Sequence, residues 1–257
     1  MDQQKLIEQW LQEEQAAHIH GWDFSHLDGR YEEEGDLPWD YRQTIRQYLT
    51  PTSRLLDLDT GGGEFLLSLG HPHHLTAATE AYPPNVALCK QVLTPLGIDF
   101  REGDSIDPLP FADGSFDMVI NRHGEYVPAE IARVLKPGGF FVTQQVGADN
   151  DRELVEMLLE NPPALPFPDQ RLEIAARRFE QAGFSVLVGQ EAYRPIRFFD
   201  VGALVWFARI IEWEFPGFAV EPCLDRLLRA QALLEARGVI EGTIHRFLLA
   251  ARKNGLP

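Results

Sequence analysis

Two carboxylates, Asp57 and Asp59, sit one residue apart and run directly into three consecutive glycines, Gly61, Gly62 and Gly63. Glycine accepts positive φ and, lacking Cβ, lets a ligand approach the backbone closely. A further acid, Glu80, ends the short segment Leu-Thr-Ala-Ala-Thr-Glu (75–80). An acid at the end of a second strand can accept hydrogen bonds from both ribose hydroxyls of an adenosine ligand. Its bland alternative is a solvated loop carboxylate. Asp104 and Ser105 follow a third segment, 98–103. Asp104 has the chemistry to accept from an adenine amino group, or merely to close an Asx turn.

These residues need elements to carry them. Leu55, Leu56 and Leu58 suit a strand covered on both faces. Glu64 opens a stretch of helix formers and matches the positive end of a helix dipole. Together, 55–66 is a strand, a tight turn and a helix start, the arrangement that binds ligands at the carboxyl edge of open α/β sheets. Pro83-Pro84-Asn85 restarts the chain into a helix over 86–93. Residues 109–121 supply a turn and a fourth strand, and 135–143 supply a helix end, a Pro-Gly-Gly turn and a fifth strand. No Gly-Lys-Ser/Thr follows the glycines, which argues against a nucleoside-triphosphate loop. Leu66 stands where a dinucleotide fingerprint has its third glycine, which weakens the alternative of an NAD-dependent oxidoreductase.

The ordered set resembles the class I S-adenosylmethionine-dependent methyltransferases. The matching pieces are Leu-Asp-Leu-Asp-Thr-Gly-Gly-Gly (56–63), Glu80, Gly-Asp-Ser (103–105), Leu-Pro-Phe-Ala-Asp-Gly-Ser-Phe-Asp (109–117) and Leu-Lys-Pro-Gly-Gly (135–139). The resemblance implies S-adenosyl-L-methionine as cofactor and a small molecule as methyl acceptor. It implies that Asp57 holds the methionine ammonium, that Gly61 and Gly63 pack against the ligand, and that Glu80 grips the ribose. Asp104, with Ser105 beside it, would meet the adenine edge, and Asn121 would face the methionine end. Asp59 departs from the family's usual glycine and brings a second carboxylate beside Asp57. In-line methyl transfer draws mainly on positioning, worth roughly 7–11 kcal/mol in favourable cases. Where the acceptor must lose a proton, His123 and Glu125, just past the fourth strand, are the candidate bases, and Arg122 can steer an acidic substrate. A non-catalytic module that binds the same ligand is the other alternative.

The composition suits such an enzyme. The 257 residues carry 23 basic and 39 acidic side chains, a net charge of −16. Nucleic-acid enzymes need cationic side chains to offset phosphates, so a nucleic-acid partner is disfavoured. The cluster Arg171, Arg177 and Arg178 is one predicted helix face. Asn121-Arg122-His123-Gly124 also lacks the Pro-Pro-aromatic run common in methyltransferases of bases. No apolar run is long enough to cross a bilayer. The opening residues form a polar amphipathic helix rather than a secretory signal, and the expected location is cytoplasmic. Cys89 and Cys223 are expected to be buried free thiols. His71-Pro72-His73-His74 is expected to be an ordinary surface loop and no metal site.

The expected fold is a Rossmann-like, seven-stranded, mostly parallel sheet of order 3-2-1-4-5-7-6, with helices on both faces. Residues 1–50 form a helical lid segment, interrupted at 28–36, and 51–257 form the methyltransferase domain. Within it come helices at 152–160 and 169–182, a sixth strand over 184–188 and 191–197 with a bulge at Gly189, and a last strand over 243–251. A helical insertion at 200–237 precedes that strand. Substrate or lid contacts are expected from Trp22, Phe24, Trp206 and Trp213, with the histidines His18, His20 and His26 nearby. The competing reading is that the aromatics only anchor the two appendages.

Overall fold

The computed structural model describes residues 3–19, 23–33 and 35–255. The strands are β1 (Tyr31–Glu32), β2 (Leu55–Leu58), β3 (Thr76–Glu80), β4 (Asp99–Glu102), β5 (Phe116–Arg122), β6 (Leu135–Val146), β7 (Phe184–Phe198) and β8 (Ile240–Lys253). The helices are α1 (Gln3–Ala16), α2 (Tyr41–Tyr48), α3 (Glu64–Ser68), α4 (Pro83–Val92), α5 (Pro128–Val134), α6 (Arg152–Leu158), α7 (Leu172–Gln181), α8 (Val201–Ile210) and α9 (Leu224–Arg237).

The strands form one sheet of order β4-β3-β2-β5-β6-β8-β7-β1. Its first seven positions follow the expected order. The eighth strand corrects the expected count: β1 arises inside the 28–36 interruption and pairs antiparallel with β7 through Tyr31↔Phe198 and Glu32↔Arg197. Two residues are too few to show an alternating pattern, so only the open edge of β7 selects them. β2 to β6 are parallel neighbours, and β8 runs antiparallel between β6 and β7. The bulge in β7 lies between Val186 and Val188, not at Gly189, which pairs regularly with Leu249. Residues 136–139 loop out of the β5–β6 pairing, where Phe116↔Leu135 gives way to Met118↔Phe140.

Side chains alternate between two buried faces, as the strand period requires. Leu56, Leu58, Val119, Phe141, Phe247 and Leu249 pack with Phe179 of α7 and Ile131 of α5. Leu55, Met118, Ile120, Val142, Leu248 and Ala250 pack on the other side with Ile45 of α2 and Cys89 of α4. Burial on both faces explains why β2 is apolar almost without a break.

A third apolar cluster joins α1, α6, α8 and α9 to the far ends of β7 and β8. It contains Leu6, Trp10, Leu158, Leu204, Trp206, Phe215 and Phe218. Arg30 ties this end together: its guanidinium donates to Asp200 at 2.9 and 2.7 Å and pairs with Glu13 at 2.8 Å. Asp200 also caps α8, accepting from the Ala203 N–H at 2.8 Å. The N-terminal segment and the 200–237 segment therefore share one core. Among the described residues no helix is long and apolar enough to cross a membrane. Cys89 and Cys223 are both free and buried.

Candidate active site

At the carboxyl ends of β2 and β3 the chain opens into a cleft of about 660 Å³, lined by Asp57, Asp59, Gly61, Glu80, Asn85 and Arg122 among others. The turn after β2 shapes it. Gly61 has φ 64 and open space where a Cβ would be. Its N–H donates to Glu80 Oε2 at 2.9 Å. Glu80 Oε1 accepts from the N–H groups of Ala81 and Tyr82, both at 2.9 Å, so the carboxylate is fixed between the glycine turn and the start of α4. The Cys89 thiol, from the second turn of α4, donates to the Gly61 carbonyl at 3.1 Å. Gly63 does not line the cleft. It has φ 88 at the start of α3, and a Cβ there would meet Leu93 at 2.7 Å, so it serves packing.

Asp57 is buried, and its Oδ2 accepts from the Thr60 hydroxyl at 2.7 Å. Burial pushes its carboxyl up to about 7; the Thr60 bond opposes this, and the negative charges of Asp59 and Glu80 add to it. Asp59 is likewise raised to about 6, chiefly by burial, against a Ser105 hydroxyl bond of 2.6 Å. Its φ is 53. Asp tolerates this left-handed region better than most side chains.

Several residues expected at the ligand support its neighbours instead. Ser105 is buried and spends its hydroxyl on Asp59. Asp104 is exposed, and its Oδ1 accepts from the Ile106 N–H at 3.1 Å, which is the Asx-turn alternative. Asn121 does not face the cleft. Its Nδ2 donates to the Leu58 carbonyl at 3.2 Å, and its Oδ1 accepts from Gln145 Nε2 at 2.6 Å and the Thr143 hydroxyl at 3.3 Å. Its amide is thus spent on neighbouring strands: Leu58 of β2 and Thr143 and Gln145 of β6.

A second cavity of about 520 Å³ adjoins the cleft, and the two share Arg122, His123 and Gly124. Gly124 stands where no side chain fits: a Cβ would lie 2.5 Å from Asp59 Oδ2 and 2.9 Å from Asn121 Nδ2. His123 has φ 61, held by its N–H donating to the Gln144 carbonyl at 2.9 Å. The Arg122 guanidinium lies 5.8 Å from the centre of the Phe65 ring. Glu125 lines the second cavity, as do Phe24 and Trp213. Trp206 lines neither space. It is 1% exposed, donates its indole N–H to the Ala16 carbonyl at 3.3 Å and stacks on His26 at 5.1 Å. It is a core residue, because α1 and α8 close over it. Trp22 and His20 lie outside the described residues.

Asn85, which the sequence reading passed over, lines the cleft from the first turn of α4; its Oδ1 is buried without a hydrogen-bond partner. Only its place directly after the strand-ending acid hints at this. Four further polar residues of the second cavity, Asn150, Asp151, Glu214 and Arg246, were also missed. They come from separate segments and carry no shared spacing.

Two other expectations meet the structure elsewhere. His71 is buried rather than in a surface loop, with its Nε2 2.8 Å from the Ser53 carbonyl. The arginine cluster is locally neutralised: Arg171 pairs with Asp149, Arg177 with Glu173 and Arg178 with Asp169. Among the described residues no group of three or more His, Cys, Asp or Glu side chains is placed to hold a metal.

The donor set of the cleft fits S-adenosyl-L-methionine. Five acidic side chains, Asp23, Asp57, Asp59, Glu64 and Glu80, line the cleft, which suits a ligand that carries a sulfonium and an ammonium, and the Asn85 Oδ1 is an acceptor with no hydrogen-bond partner. Residues 56–143 match a family of methyltransferase domains. Over 121 residues the chain is 31% identical to a phthiotriol/phenolphthiotriol dimycocerosates methyltransferase of Mycobacterium tuberculosis, covering 43% of this chain and 44% of that protein. It is 33% identical over 118 residues to a demethylmenaquinone methyltransferase of Thermus thermophilus, covering 42% and 53%. The alignments thus span about half the length of these relatives. Among solved structures, the YcgJ protein of Bacillus subtilis superposes with a TM-score of 0.57 at 20% identity, over 84% of this chain and 98% of that one. The [4+2]-cyclase SpnF superposes with a TM-score of 0.52 at 20% identity, over 98% and 93%. Likeness at that identity speaks for the fold alone. The matched segment, residues 56–143, is thus similar to methyltransferase domains, and it lies in a Rossmann-like sheet of the kind these solved neighbours share.

Proposed function

We propose that the protein transfers the methyl group of S-adenosyl-L-methionine to a small molecule seated in the 520 Å³ cavity. The observation that supports this most is the junction of two spaces at Arg122, His123 and Gly124, one lined by carboxylates and the other partly by aromatic rings. When bound, the sulfonium compound supplies a methyl group already activated for displacement. The chain's own residues do the rest. Glu80 and Asn85 take the ligand's hydroxyl donors, while Asp57 and Asp59 face its positive charge. Gly124 keeps the passage between the two spaces clear. His123 lines both and is the candidate to accept a proton from the acceptor, with Glu125 beside it. The N-terminal segment and the 200–237 segment contribute Phe24, Phe207 and Trp213 to the acceptor side, where apolar lining excludes water. Two free, buried cysteines fit a reducing cytoplasmic compartment.

Incubating the protein and cell extract with methyl-labelled S-adenosyl-L-methionine tests the reading, with label expected in a small molecule. Donor binding without transfer to any compound would favour the non-catalytic module, and uptake of NAD in its place would overturn the assignment. Glu80→Gln is expected to weaken donor binding on the order of 10- to 100-fold by calorimetry, the scale of a lost hydrogen bond to a charged group.

A further inference from the structure

The floor of the acceptor cavity is built for charge. Asp151 is 1% exposed and Glu214 is 7% exposed, yet both line the open space. Asn150 bridges them, its Nδ2 donating to Asp151 Oδ2 at 2.8 Å and to Glu214 Oε1 at 3.0 Å. Arg246 is 4% exposed and reaches the same group from β8: it donates to Asn150 Oδ1, and to Glu33 Oε2 at 3.3 Å. Three carboxyl groups therefore surround one guanidinium. Asp151 Oδ1 is buried and has no hydrogen-bond partner. A buried acceptor left in this state costs free energy until a donor reaches it.

We propose that the acceptor molecule carries a protonated amine, which donates to Asp151 Oδ1, and an apolar body that rests against Phe24, Phe207, Ile211 and Trp213. This deepens the methyltransferase reading and rests on it. At this end of the cavity a carboxylate ligand would meet Glu33, Asp151 and Glu214 against Arg246; the other arginine of the lining, Arg122, stands beside His123 and Gly124, where the donor cleft opens. An alcohol could donate one hydrogen bond but would leave the negative charge unopposed. An ammonium supplies donors and charge together, and charge-assisted hydrogen bonds are about twice as strong as neutral ones. Burial raises Asp151 well above the ordinary carboxylate range, with the charge of Glu214 adding to it; burial raises Glu214 too, against the bonds to Asn150 and Asp151, and a cation seated beside the two favours their ionised forms. The amine is a handle: it sits at the Asp151–Glu214 end, while the methyl-accepting atom lies at the His123–Gly124 end, where the donor cleft opens.

Tryptamine, tryptophol and indole-3-acetate share one ring system and differ in charge. Each is titrated calorimetrically into protein saturated with S-adenosylhomocysteine, and into unloaded protein. Tryptamine is expected to bind about tenfold more tightly than tryptophol, with indole-3-acetate weakest. Asp151→Asn and, independently, Glu214→Gln are expected to abolish the preference while tryptophol binding stays within about twofold. Equal affinities, tighter binding of indole-3-acetate, or no binding of tryptamine would overturn the amine handle. A failure to take up S-adenosylhomocysteine would instead count against the donor cleft, and the unloaded titration would still decide the cavity.

Discussion

The donor cleft and the acceptor cavity share three residues but were assembled by different means. The cleft comes from two neighbouring strand–loop–helix units, β2 to α3 and β3 to α4, whose turns are contiguous in sequence. The cavity draws on Phe24 and Glu33, on 122–125, on 145–151, on Phe207 to Glu214 and on Arg246, segments separated by up to the length of the chain. The first is a property of local backbone geometry and the second of tertiary packing. Their electrostatics differ as well. In the cleft the Gly61 N–H and the Thr60 and Ser105 hydroxyls donate to Glu80, Asp57 and Asp59, whereas in the cavity Asp151 and Glu214 are buried near Arg246.

Trp206→Ala would put the sharpest strain on this division. If the ring is core, stability should fall by about 3–5 kcal/mol in chemical denaturation. Donor affinity should stay within about twofold, because Trp206 touches neither space. A loss of acceptor binding with little loss of stability would return it to the lid. Gly124→Ala acts at the boundary, where the added methyl overlaps Asp59 and Asn121. A stability loss of about 1–3 kcal/mol is expected from overpacking, with weakening of donor and acceptor binding together. Weakening of one alone would show that the spaces are energetically separate.

The smallest expected effect is on pH dependence. Burial pushes the Asp57 carboxyl up to about 7 and that of Asp59 up to about 6. A cationic donor favours their ionised forms, so binding releases protons and affinity rises with pH, about tenfold between pH 5.5 and 7.5. The sign for stability is opposite. Both acids hold protons in the folded chain that the unfolded chain releases above about 4, so their contribution to stability is full below about pH 4. It is lost as pH rises through 6 to 7. Calorimetry in buffers of different ionisation enthalpy measures the proton release directly. Proton uptake on donor binding would mean that the acids do not face the ligand's charge.

Legibility in the sequence followed the same divide. The sheet order was readable because strands buried on both faces leave apolar runs, and because Pro and Gly mark the turns between them. Asp57, Asp59, Gly61 and Glu80 were readable because each falls at a strand end or in the turn after it, where the carboxyl edge gathers them. Asn121 and Ser105 had the right positions along their segments, but hydrogen bonds to Gln145 and Asp59 turned them into supports. Position along a chain does not say which neighbour a polar side chain will satisfy.

The sequence by itself determined the alternating strands, the glycine turn and the carboxylates beside it, because these depend on φ preference, burial period and residues within a few positions of one another. Only the tertiary structure decided that Trp206 is core, that β1 completes an edge, and that Asp151, Glu214, Glu33 and Arg246 meet in one cavity. Those outcomes depend on which distant surfaces bury each other, and desolvation and pairing of charge are fixed only when that packing is complete.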